Sequence, residues 1–146
     1  MQPSTEPQQR PSPWIEWPLR LVPAVILGQT LWFKFSADPS AVALFTTLGV
    51  EPWGRILTGV AEALAVLLLL IPSTGFPGAL LTVGLMAGAL FSHLTVLGIE
   101  IEGDGGLLFG LAVVSALTGA LLGLLLRRSG LARLRAAGLP LPAWLG

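Results

Sequence analysis

Four long apolar runs, joined by short polar turns, fill most of this chain and leave it little choice of environment. They are Leu19 to Phe35, Trp53 to Ile71, Phe76 to Gly98 and Gly105 to Leu126, the last without a single charge. A helix needs about 20 apolar residues to cross the ~30 Å hydrocarbon layer of a bilayer. One such run could be a buried helix of a soluble protein; four, with turns as short as Pro72-Ser73-Thr74-Gly75 between them, could not. Only 11% of the residues are charged, against about 25% in a soluble domain. The sequence therefore predicts an all-α fold, a four-transmembrane-helix bundle over residues 19–128. A proline-rich disordered cytoplasmic tail (1–18) precedes it, and a basic cytoplasmic tail (129–146) follows.

Between the first two spans, Asp38-Pro39-Ser40 reads as a helix start and Gly49 as a stop. A short interfacial helix is expected there, with an irregular loop on apolar anchors as the alternative. The first span is short, so Arg20 and Lys34 at its ends are expected to snorkel toward opposite headgroup layers. The N-terminus lacks the basic start and apolar stretch of a cleaved signal, which leaves the first helix to direct insertion. Arg10, Arg20, Arg127, Arg128, Arg133 and Arg135 flank the termini, against Lys34 and Arg55 on the other side. By the positive-inside rule both termini of this multi-pass protein are cytoplasmic. Trp14, Trp17, Trp32, Trp53 and Trp144 fall near span ends, where indoles prefer the membrane interface. Three small-residue pairs, Gly84/Gly88, Gly106/Gly110 and Gly119/Gly123, are candidates for close helix packing.

Ionisable groups inside spans are costly and tend to face a partner or a wet cavity. Glu62 lies on the side of its helix that also carries Thr58, Gly59 and Ala65, about 10 Å deeper than Arg55 at 1.5 Å per residue. By the same count, Gln29 and His93 lie at similar depth on two other helices. Gln29, Glu62 and His93 thus mark the outer half of the membrane, with Lys34, Arg55 and Asp104 above them. These six residues are the candidate ligand pocket. Three readings stay open: an interhelical polar tie, a pocket for a ligand or redox cofactor, and a proton-transfer site. One histidine with one nearby carboxylate falls short of a zinc site, so no metal is expected. With zero cysteines, disulfides and thiolate clusters are excluded. Zero net charge leaves no footprint for nucleic acid. No catalytic residue is identified.

The loop from Gly98 to Gly106 is acidic and glycine-rich, and reads as a tight turn rather than a calcium loop. Three segments together resemble the DoxX-like family of small bacterial four-helix membrane proteins: Gln29 to Phe35; Gly49 to Arg55 with Thr58, Gly59 and Glu62; and Ser92 to Thr95 leading to Gly103-Asp104-Gly105-Gly106. The resemblance implies the bacterial inner membrane and an accessory place in redox or quinone-linked chemistry, at most a non-catalytic or quinone-interacting subunit of an oxidoreductase. No cofactor is expected within the chain itself. A quinone would suit a pocket lined by Gln29, Glu62 and His93, because its carbonyls need hydrogen-bonding groups in an apolar cleft. Expected partners are the lipid bilayer and either redox-enzyme subunits or further copies of the chain. A small transporter or proton-conducting module, and a scaffold without a ligand, are the competing functions.

Overall fold

The computed structural model describes residues 11–139, and every regular element among them is helical. Helix α1 spans Pro13–Phe35, α2 Pro39–Thr47, α3 Trp53–Leu70, α4 Gly75–Ser92 and α5 Leu107–Ala136. A single π-helical turn, His93–Leu97, continues α4. Three helices, α3, α4 with its π turn, and α5, are long and apolar enough to cross a membrane. On that measure the expected four spans become three. α1 is 23 residues long but carries Arg20, Gln29 and Lys34 among its apolar residues, which dilute its hydropathy.

The helix ends differ from expectation for local reasons. α1 begins at Pro13, inside the segment expected to be tail; residues 1–10 of that segment lie outside the described residues. Proline suits the first turn, where its missing N–H would have had no partner and its ring presets φ. α5 runs on from Leu126 to Ala136, into the segment expected to be the second tail, of which residues 140–146 are not described. It passes through Gly130, where the ring of Phe76 packs against the space a Cβ would fill. The link between α1 and α3 is helical rather than irregular. Asp38 accepts the Ser40 N–H at 3.0 Å, which caps α2 with Pro39 in its first turn. At the other end Gly49 takes φ +72, so that Val50 donates to the Phe45 carbonyl at 3.0 Å and Gly49 to that of Thr46 at 2.9 Å.

α1 lies against α3 and α5, and α4 against the same two helices. Leu27, Ala65, Leu69, Met86, Ala112 and Leu122 form the centre of the core. Small residues let the backbones approach: a Cβ on Gly78 would stand 2.8 Å from the Leu69 nitrogen. Of the expected glycine pairs, only Gly119/Gly123 meets another helix, with Thr82 and Val83 3.3 Å from where a Gly119 side chain would begin. Gly84, Gly88 and Gly110 face open space, and Gly106 precedes α5 at φ +80. Sequence spacing marks a helix face without saying whether that face turns inward. The exterior is apolar over most of its length, with Leu57, Leu67, Leu80, Leu117, Leu121 and Leu124 exposed. A water-facing protein does not normally present so large an apolar surface.

Candidate functional site

Successive residues three or four apart place Arg20, Ala24, Leu27, Thr30 and Lys34 on one stripe of α1. On α3 the buried stripe is Arg55, Gly59, Glu62, Ala65 and Leu69. The two meet at Glu62, which is 6% exposed. Its Oε2 lies 2.9 Å from the Lys34 ammonium and accepts the Thr30 hydroxyl at 2.9 Å. Thr30 Oγ1 also lies 2.8 Å from the Leu27 carbonyl. Gly59, one turn above Glu62, admits the Phe35 ring where a Cβ would be only 3.1 Å from it. Lys34 therefore does not snorkel outward as expected. Its ammonium turns back along the helix contact to the carboxylate.

Two arginines clamp the same helix pair from opposite ends. Arg20, only 1% exposed, donates to the carbonyls of Leu69 (2.8 Å), Ile71 (3.1 Å) and Pro72 (3.1 Å). These include carbonyls at the C-terminus of α3 that have no partner within the helix. Its Nε is held by Glu16 at 2.9 Å. At the far end, Arg55 of α3 donates to the Lys34 carbonyl near the C-terminus of α1, and Glu51 accepts its Nε at 2.9 Å. Each arginine thus sits four residues after its own glutamate and caps its antiparallel neighbour, where a cation also meets the negative end of the helix dipole. The expectation that Arg20 snorkels to a headgroup is overturned, because those carbonyls offer it a better-defined partner set. The paired spacings Glu16…Arg20 and Glu51…Arg55 were the signal for this arrangement. Glu16, Arg20, Glu51 and Thr30, the last one turn before Lys34, are not among the six residues expected to form the pocket.

The other candidate residues sit elsewhere. Gln29 is exposed and joins none of these contacts. His93 is buried at the start of the π turn, its ring edge-on to Phe109 with 5.6 Å between centroids. Its Nδ1 lies 2.7 Å from the Gly98 carbonyl, and because a carbonyl can only accept, that nitrogen carries the proton. The Gly98 N–H returns a bond to the His93 carbonyl at 2.8 Å. His93 therefore fastens the end of its own helix, and no hydrogen bond among the described residues joins it to Glu62. Asp104 organises the loop before α5, accepting from Ile101, Gly106 and Leu108, each at 2.9 Å. Those N–H groups, Leu108 first, hold its carboxyl below the usual aspartate range, with a lesser electrostatic contribution from His93.

The chemistry available is thus concentrated in Thr30, Lys34 and Glu62, an ammonium, a carboxylate and a hydroxyl held together between two mainly apolar helices. An ammonium carries three donors, and among the described residues Lys34 places one, on Glu62. Comparison with characterised proteins and with solved structures finds no match. The sequence pattern of one family, however, covers residues 18–117, which include α1 to α4 almost entirely, the Lys34–Glu62 pair and the Asp104 loop. The chain belongs to the DoxX-like family.

Proposed function

We propose that this protein is an integral-membrane subunit of a redox assembly in the bacterial inner membrane, crossing it four times. In this reading Lys34, Thr30 and Glu62 hold the carbonyl head of a quinone-like ligand in the outer half of the bundle. The observation that carries the proposal is the ion pair itself. Removing two charges from water is expensive, and an apolar contact of the same shape would often be as stable. Ionisable pairs within membrane spans are more often kept for a ligand, ion or proton. The remaining N–H groups of Lys34 supply what a quinone carbonyl accepts, and the Glu62 carboxylate keeps the ammonium in place.

The fourth crossing is supported by where the charges of α1 go. At 23 residues α1 is about 35 Å long at 1.5 Å per residue. Arg20 is buried, and Glu16 and Lys34 are drawn into ion pairs, while Leu21, Val22, Val25 and Phe33 face outward. A helix with its charges satisfied internally presents lipid with an apolar surface despite a modest mean hydropathy.

Purification in mild detergent, followed by extraction and mass analysis of bound quinone, tests this reading. The expected result is near-stoichiometric quinone on the native protein and its loss from Lys34→Met and Glu62→Gln. Quinone at the same low level in all three, with no redox subunit copurifying, would leave the Lys34–Glu62 pair as a packing tie worth on the order of 1 kcal/mol.

A further inference from the structure

On the outer face of α4 and α5, away from the Lys34–Glu62 pair, runs a groove of about 340 Å³. That is at the lower end of the roughly 300–1,000 Å³ typical of ligand pockets. Its floor is Gly119 and Gly123, one turn apart on α5, and its walls include Phe76, Leu80 and Leu124. Another turn along the same ridge stands Arg127, the one charged side chain among the described residues that line the groove, with Leu131 a further turn on. Arg127 is the first charge after the uncharged stretch of α5, is exposed, and among the described residues makes no side-chain hydrogen bond or ion pair.

We propose that this groove retains one anionic phospholipid, an acyl chain lying over Gly119 and Gly123 and the phosphate on Arg127. From Gly119 to Leu131 the α5 side of the groove runs about 18 Å at 1.5 Å per residue, a length that an acyl chain can follow. Charge sets the class of headgroup. The described lining is apolar except for Arg127, which stands where charge first returns to the helix, and this matches the amphiphilic layout of a lipid with a phosphate. Surrounding exposed leucines, Leu80 and Leu124 among them, put lipid at the groove mouth. The inference is independent of the quinone reading, because it uses neither Lys34 nor Glu62.

Native mass spectrometry of the full chain in mild detergent, titrated with phosphatidylglycerol or phosphatidylcholine, tests it. The native protein should hold one phosphatidylglycerol, about fivefold tighter than phosphatidylcholine, the weight of one basic residue at a membrane surface. Arg127→Gln should abolish that preference, while Arg128→Gln, an exposed neighbour that does not line the groove, should keep it. Gly123→Leu should weaken both lipids, since a Cβ there meets only Ala79 at an ordinary 3.8 Å and the rest of the side chain fills the groove. Should Gly123→Leu fail to fold, the two arginine variants still decide. Equal loss from Arg127→Gln and Arg128→Gln would mean diffuse surface charge and overturn the proposal. So would a bound mass equal to a second chain that Gly123→Leu removes.

Discussion

At the scale of single residues, the buried arginine on α1 is the position most exposed to substitution. Arg20→Gln would leave Glu16 without its cation and the Leu69 carbonyl without its donor, while the Ile71 carbonyl keeps the Thr74 N–H and that of Pro72 keeps a long contact to Arg133. Glu16 is partly exposed, so the main cost is the lost charge-assisted hydrogen bonding of a buried donor, about 2–3 kcal/mol, and the midpoint of unfolding in detergent should fall accordingly. Arg20→Lys should recover less than half of that, because an ammonium cannot reproduce the planar fork that reaches several carbonyls at once. Arg133→Gln gives the contrast. Its guanidinium reaches the Ser73 carbonyl at 3.0 Å from an exposed position, and its loss should cost about 1 kcal/mol or less. The inward direction of Glu62 was legible from the sequence, since a carboxylate within a span is too costly to turn to lipid. That of Arg20 was not, because a charge near a span end reads equally well as an anchor, and only the neighbouring helix terminus distinguishes the two.

Between elements, the distance at which two helices pack is set by which glycines they share. Gly78→Ala would drive a Cβ to within 2.9 Å of the backbone of Leu68 and Leu69, so α3 and α4 must separate. Overpacking of this kind costs about 1–3 kcal/mol. Gly84→Ala, with nothing within 4 Å, should instead stabilise by up to about 1 kcal/mol through helix propensity. Thermal unfolding of both variants in one detergent checks the sign of each. The two sites look alike in sequence, so it is the direction of the face, set by tertiary packing, that was not legible there. The loop before α5 carries a pH dependence. The Asp104 carboxyl is held below the usual range by the Leu108, Ile101 and Gly106 N–H groups. A carboxyl lowered in the folded state contributes its full stability above its unfolded value of about 4, and loses it as pH falls through the folded value. Protection of the Ile101, Gly106 and Leu108 amides, taken relative to free-peptide exchange at each pH, should therefore hold from neutral pH down to about pH 4 and fall only below it. Asp104→Asn should show quick exchange at Leu108 already at neutral pH, because the amide that replaces Oδ2 turns a donor toward that N–H.

For the molecule as a whole, the helical fold follows from apolar runs that no other environment would accept. The short helix α2 follows from its cap and its glycine stop. What sequence alone obscured is where the charges of α1 point, expected outward to headgroups but turned to α3: Arg20 clamps its end, and Lys34 reaches Glu62. Averaging over the helix discards the distinction between a charge facing lipid and a charge facing a partner. The proposed ligand site therefore requires α1 to cross the membrane with those charges turned inward. Single-cysteine variants measure this directly, because the chain contains no thiol of its own. With an impermeant maleimide on intact cells, Thr46→Cys should label, while Ser12→Cys and Ala132→Cys should label only after the membrane is opened. If Ser12→Cys and Thr46→Cys instead react from the same side, α1 does not span, and the Lys34–Glu62 pair cannot belong to a ligand site in the outer half of a four-helix membrane bundle.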